Sequence, residues 1–460
     1  METLDSLRSG LASGRLSGCK TLKLADGLTE FPSEILALAE SLTFLNLSNN
    51  SLRALPPEFA QLTKLEIAFF NNNKFEIFPE VLAQCPKLSM VSFKANQLST
   101  VSDKALSPNL RWLILTNNQL STLPPSIGKL HRLQKLMLAG NRLTDLPKAL
   151  ANCTNLELIR LAANQLKQLP DWLYRLPRLS WLAYAGNPFC EAISREWVEK
   201  REVRSLPTIA SQALTRGEFL GEGASGIIYK GTWTPHNQLA TPQAVAIKLF
   251  KGDITSDGSP LDEMRACIAA GDHPNLVQVL GKLTSANETG LVFSFITSDY
   301  DNLGGPPSLE SCTRDTYKPD QSFTPQEIFK VTSGMASVLA HLHQNNIVHG
   351  DFYAHNILIN TEGHSILGDF GAASFYSKNT FSKEPEISSH PLEKIEVRAF
   401  GCLLEELLLR CTDKNQTVIQ QLGDLQRQCM SLDLAERPTF AHITQTLSQA
   451  DTIAGKMNSE

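Results

Sequence analysis

The sequence predicts a chain of two parts, an α/β solenoid of short repeats followed by an α+β domain of two lobes. Two observations carry this. A leucine pattern recurs every 22 or 23 residues through the first half, and near Leu214 it gives way to strand-like alternation and then to longer helical segments. A chain of 460 residues is also too long for one ordinary core. With 42% hydrophobic residues, 19% charged residues and a net charge of −5, the composition is that of an ordinary globular protein. The near-balance of charge argues against a nucleic-acid or anionic-membrane partner, which calls for a basic patch. No apolar run suits a signal peptide or a membrane span. The nine cysteines are scattered with no C-x-x-C pair, so they read as small buried hydrophobes in a reducing, cytoplasmic compartment.

In the first half the text recurs as L-x-x-L-x-L-x-x-N-x-L-x-x-L-P. Its first position falls at Cys19, Leu42, Leu65, Leu88, Leu110, Leu133, Leu156 and Leu179, and its Asn at 50, 73, 96, 118, 141, 164 and 187, with Gly27 in the first coil. Leu at alternate positions of a short strand would point inward and stack coil on coil into one core. The Asn would satisfy backbone groups where the chain leaves the strand, and the following Leu-Pro would turn the chain and block further pairing. An amphipathic helical bundle is excluded, because no 3.6-residue period survives the Asn and Pro positions. The pattern resembles the leucine-rich repeat family in eight in-register copies over 19–190. The outward strand positions hold Phe44, Phe69, Met90, Trp112, Ile114, Met137 and Trp181, an apolar stripe suited to a protein partner or regulator on the concave face. The alternative is that the stripe packs against a terminal segment or the second domain. Phe189, Trp197 and Val198 suggest a capping helix, which bounds the repeat part at 1–205. "RSLPTI" reads as a linker over 206–213, leaving a second domain at 214–450 and a tail at 451–460.

"FLGEGASGIIYKGTW" sets Gly221, Gly223 and Gly226 between two β-type runs. A dinucleotide fingerprint would open a helix, whereas "IIYKGTW" is β-branched and aromatic, so a strand follows. Glycines between two strands make a lid whose backbone can approach phosphates. Downstream come "AVAIK" ending at Lys248, then Glu263 (with Asp262 as the alternative), "HPNLV", "HGDFYAHN" with Asp351 and Asn356, and Asp-Phe-Gly at 369–371. In this order and spacing the motifs resemble the protein-kinase family from about 214 to 449. The fold class expected for the whole chain is thus an α/β leucine-rich-repeat solenoid followed by an α+β two-lobed protein-kinase fold.

The resemblance implies ATP and Mg²⁺ as cofactors and a role for each residue. Leu220, Gly221, Glu222, Gly223, Ala224, Ser225, Gly226 and Ile228 would cover the nucleotide, Lys248 with Glu263 would hold its phosphates, and Phe293 would guard the back of the pocket. The backbone of Phe295 and Ile296 would meet adenine. Asp351 would orient a substrate hydroxyl and accept its proton, and Asn356 and Asp369 would hold Mg²⁺. Arg437 of "ERPTF" would pair with Glu386, and Glu396 replaces the Asp usual in its motif.

Two departures qualify the likeness. Gly350 stands where Arg is usual, which implies independence from activation-segment phosphorylation and control from elsewhere, such as the repeats, although Ser374, Ser377, Thr380 and Ser382 remain candidate acceptors. Tyr353 stands where Ser/Thr kinases carry Lys, with His355 where tyrosine kinases place Arg, so a donor or partial charge would come from His355. The expected activity is transfer to Ser/Thr hydroxyls of proteins, with the repeats recruiting partner or substrate. A tyrosine or dual-specificity kinase, a catalytically weak scaffold and a small-molecule kinase are the other readings.

Overall fold

The computed structural model describes residues 3–190, 206–223, 225–235, 241–252, 254–255, 257–285, 288–377 and 389–457. The chain divides into two compact units, Met1–Leu179 and Ser180–Glu460.

The first unit opens with helix α1 (Leu4–Ala12), capped by the Thr3 hydroxyl. Seven three-residue strands follow: β1 (Thr21–Lys23), β2 (Phe44–Asn46), β3 (Ile67–Phe69), β4 (Met90–Ser92), β5 (Trp112–Ile114), β6 (Lys135–Met137) and β7 (Leu158–Arg160). They pair in parallel, each repeat position facing its equivalent in the next coil, as Leu45 faces Ala68 and Ala68 faces Val91. Short 3-10 turns lie between most of these strands in the chain, and the one-turn helix α2 (Asp171–Tyr174) follows β7. The inward leucines are buried, and Phe59, Phe70 and Phe93 stack along the core with centroids 6.1 and 4.9 Å apart.

The asparagines do what the pattern calls for. Asn73 Nδ2 donates to the Leu47 and Phe70 carbonyls at 2.9 and 3.1 Å, and its Oδ1 accepts from the Leu52 amide at 2.9 Å. Asn96, Asn118, Asn141 and Asn164 repeat the arrangement. One side chain thus serves three backbone groups that the strands have released.

The second unit begins with β8 (Trp181–Ala183) and β9 (Thr208–Ala210). The expected linker at 206–213 therefore contains a strand: Ile209 is buried in the core formed with Val245, Ile247 and Val292, and β9 runs parallel to β13. Burial of one β-branched residue outweighs the turn signal of Pro207. The sheet continues with β10 (Leu214–Glu222), β11 (Gly226–Trp233), β12 (Gln243–Phe250), β13 (Val279–Thr284) and β14 (Thr289–Ser294), in the order β10-β11-β12-β14-β13-β9. Helix α3 (Pro260–Ala270) lies between β12 and β13 in the chain, capped by Ser259.

Beyond it come β15 (Tyr300–Asn302), α4 (Pro325–Gln344), β16 (Ile347–Val348), β17 (Ile357–Asn360), β18 (Ser365–Leu367) and β19 (Ser374–Phe375), then α5 (Pro391–Leu409), α6 (Thr417–Cys429) and α7 (Phe440–Met457). A capping box between Thr324 and Glu327 starts α4. Helix α5 is buried on nearly every face, as the central helix of a bundle must be. Helix α7 runs past the expected boundary at 450 into the segment read as a tail. All nine cysteines are free thiols and eight are buried; burial raises the Cys85 and Cys153 thiols to about 11, as suits packing residues. Among the described residues no helix is long and apolar enough to cross a membrane.

Candidate active site

Strands β10 and β11 form the hairpin expected to cover a nucleotide. Glu222 faces Ile227, and the Gly223 amide donates to the Gly226 carbonyl at 2.9 Å. A Cβ at Gly226 would meet the Leu249 carbonyl at 2.5 Å, so only Gly lets β11 lie on β12 there. A Cβ at Gly221 or Gly223 would meet nothing, so packing does not demand those two glycines. Their bare backbone suits close approach by a ligand instead. Leu220 is exposed, Ser225 is buried, and Ile228 faces Lys248 across the ladder. Ala224 lies outside the described residues.

Lys248 Nζ pairs with Glu263 Oε1 on α3, and Glu263 is buried. Its neighbour Asp262 pairs with Arg265 at 3.1 Å. Burial pulls the Lys248 pKa down, but Glu263 and Asp369 outweigh it and hold the ammonium above its usual value. Asp369 therefore shares the cleft with this pair. It sits at φ 51°, and its Oδ1 accepts from the Gly371 amide at 3.1 Å. Phe293 stands in the ladder between Ala246 and Val279, and Phe295 and Ile296 follow just beyond the last residue of β14, Ser294.

In the loop after β16, His349 is fully buried and its Nε2 lies 2.9 Å from the Gly368 carbonyl, tying this loop to the one carrying Asp369. The amide of Gly350 donates to Glu396 Oε1 at 2.9 Å, and the other oxygen of Glu396 meets His343 Nε2 at 2.7 Å. Asn356 Nδ2 donates to both the carboxylate and the carbonyl of Asp351, each at 2.9 Å. This spends the amide nitrogen and leaves Asn356 Oδ1 as the atom a hard cation would take, with the Asp369 carboxylate as its companion. Two oxygen donors fit Mg²⁺, which keeps water and phosphate oxygens as its remaining ligands.

His355 Nδ1 lies 2.7 Å from Asp315 Oδ1. Burial alone would lower the His355 pKa, but Asp315, then Asp351 and Asp369, raise it above the usual histidine value. A positive charge is thereby favoured two residues from the neutral Tyr353. This charge contributes stability that is complete below about pH 6.5 and is lost as pH rises through the raised folded value, each unit of elevation being worth about 1.4 kcal/mol. The wild type is expected to lose thermal stability as pH rises above about 6.5, beyond any change in a His355→Asn variant. Parallel pH profiles would count against the pairing.

Some expected residues are placed differently. Trp181 is 2% exposed and packs inside the second unit on the loop of Asp351, so it leaves the partner-facing row. Met90 is buried too, between Ile67 and Trp112 in the register. Phe44, Phe69, Trp112, Ile114 and Met137 are half-buried: Phe44 and Phe69 meet edge-on at 5.4 Å, and Lys135 Nζ sits 4.2 Å over Trp112. Ser374 is fully buried and so is no accessible phosphate acceptor. Glu386, Thr380, Ser382, Trp197 and Val198 lie outside the described residues. Arg437, expected to pair with Glu386, donates to the Ser431 and Lys394 carbonyls at 2.8 and 3.1 Å. Asp315 and the contact from Glu396 to Gly350 carried no local signal in the sequence.

A family model described as protein tyrosine and serine/threonine kinase matches residues 214–400. Leucine-rich-repeat models match residues 41–62 and, in overlapping segments, 86–189. The chain is 27% identical over 207 residues to Cell division control protein 2 homolog 3 of Trypanosoma brucei brucei, covering 42% of this chain and 61% of that protein. It is 29% identical over 212 residues to Serine/threonine-protein kinase PITSLRE of Drosophila melanogaster, covering 43% of this chain and 21% of that protein. The chain thus spans less than two thirds of either relative.

Proposed function

We propose that this chain, which joins an N-terminal array of leucine-rich repeats to a protein kinase domain, transfers the γ-phosphoryl group of ATP to Ser/Thr hydroxyls of proteins. The observation that carries the reading is the completed pair of Lys248 and Glu263 in the same cleft as Asp369. Transfer of this kind rests on positioning and electrostatics, and the pair supplies a fixed cation for the α- and β-phosphates. Asp351, held by Asn356, orients the acceptor hydroxyl and takes its proton as the oxygen bonds to the γ-phosphorus and the bond to the bridging oxygen of ADP breaks. Asn356 Oδ1 and the Asp369 carboxylate would hold Mg²⁺, which screens the phosphate charge when bound. His355, whose pKa Asp315 and then Asp351 and Asp369 raise, is inclined to supply positive charge beside a loop whose Tyr353 brings none.

The row of Phe44, Phe69, Trp112, Ile114 and Met137 recruits the protein partner or substrate, since aromatic and Met side chains on a concave strand face suit protein contact. The scattered thiols fit a cytoplasmic setting.

Purified full-length chain given γ-labelled ATP and Mg²⁺ should incorporate label as phosphoserine or phosphothreonine, with Asp351→Ala as the baseline. Equal, background-level labelling in both would leave a nucleotide-binding scaffold in its place. Label on tyrosine would move the specificity.

A further inference from the structure

Strand β8 and the residue after it grip the loop that carries Asp351. The Trp181 indole N–H donates to the Phe352 carbonyl at 2.9 Å, and its ring stacks on Tyr353 with centroids 4.3 Å apart and planes 6° from parallel. Tyr353 in turn lies 5.0 Å from the His355 ring. Three residues on, the Tyr184 amide donates to Ser374 Oγ at 3.3 Å and its hydroxyl to the Phe375 carbonyl at 3.1 Å. Between them the Leu182 carbonyl passes so close to Gly350 that an added Cβ would lie 2.7 Å from it. Trp181, Tyr184 and Tyr353 are all nearly fully buried.

The points held are the two edges of one ribbon. Strand β16 leads into Asp351, β19 follows Asp369, and the two pair through Ile347 with Phe375 and Val348 with Ser374. The bond from Trp181 ties β8 to the backbone of the residue after Asp351, and the bond from Tyr184 ties the same segment to β19. The two departures in the loop's text are accounted for together: Gly350 makes room for Leu182, and Tyr353 offers the flat face that Trp181 covers.

We infer that Trp181 and Tyr184 are positioning residues, a built-in clamp that holds the Asp351 loop and the segment after Asp369 in their working arrangement. A cover that shuts the site off is disfavoured by the site itself. With the strand seated, Lys248 is paired with Glu263, Asn356 is bonded to Asp351, and the β16–β19 ribbon is formed.

The kinetic arm of the test rests on the kinase reading; a second arm does not. In the full-length chain, Trp181→Ala and Tyr184→Phe should speed amide hydrogen exchange at 350–353 and 374–376 about tenfold or more. They should lower kcat about tenfold with the KM for ATP within about twofold, since misplacement of a reacting group costs rate rather than nucleotide binding. Trp181→Phe keeps a stacking ring but not the N–H and should fall between. Wild-type exchange in Trp181→Ala, or a rise in kcat, would overturn the clamp, the rise pointing to a cover instead. Should Trp181→Ala fail to fold, Tyr184→Phe and Trp181→Phe carry both readouts. If the wild type transfers no phosphate, the kinase reading fails and exchange alone decides the clamp.

Discussion

Lys248→Met is expected to cut phosphoryl transfer about a hundredfold or more and to destabilise the domain by about 3–5 kcal/mol. The two losses have different origins. Rate falls because the cation paired with Glu263 beside Asp369 is gone. Stability falls because Glu263 is 2% exposed and, among the described residues, its Oε2 has no hydrogen-bond partner while Lys248 pairs with its Oε1. Removing one member of a buried pair leaves the other as an uncompensated ion or forces it to take up a proton. Removing both need not: Lys248→Met with Glu263→Leu should recover most of the lost stability while transfer stays absent. Urea unfolding and the labelling assay on both variants separate these effects. A stable but inactive single variant would show that the pair matters to chemistry alone, and an active one would refute the assignment of Lys248.

What the sequence made legible has a common physical character. The solenoid could be read because each coil answers its own needs locally: the Asn that serves three backbone groups lies within about a coil of all of them. Lys248, Asp351, Asn356 and Asp369 could be read because fixed spacing ties them to strands and turns that position them. Trp181 defeated the same logic. Strand alternation gives it an outward direction, but the face that buries it belongs to Tyr353, beside Phe352, whose carbonyl takes the indole N–H from 171 residues along the chain. Nothing near Trp181 announces this. The signal sat at the other end, in an aromatic residue where a cation is usual. Ile209 was missed for a related reason, its neighbour on β13 lying far along the chain.

Gly350→Arg brings in the residue usual in the protein kinases that the chain resembles and is expected to damage this protein. A reading from charge alone makes Gly350 a matter of regulation, the loss of an Arg that awaits a phosphate. Geometry adds a stronger constraint. Gly350 has φ 72°, and a Cβ there would lie 2.6 Å from the Ala372 carbonyl and 2.7 Å from that of Leu182. The left-handed backbone costs a non-glycine residue about 1–3 kcal/mol, and forcing atoms into a packed site adds about 1–3 kcal/mol. A loss of about 2–6 kcal/mol is a large part of an ordinary domain's stability of about 5–15 kcal/mol. Both obstructing atoms are backbone carbonyls, so no side chain can swing aside to make room. Gly350→Ala should therefore show most of the effect, which separates the steric cost from the charge of Arg. Tyr353→Lys should not rescue it, because the ammonium would replace a ring stacked on Trp181 and sit beside a histidine already inclined to be charged. Urea unfolding of the three variants decides the matter. Wild-type stability in Gly350→Ala would mean that the 350–353 loop and β8 part readily, and Gly350 would revert to a residue selected for its missing charge.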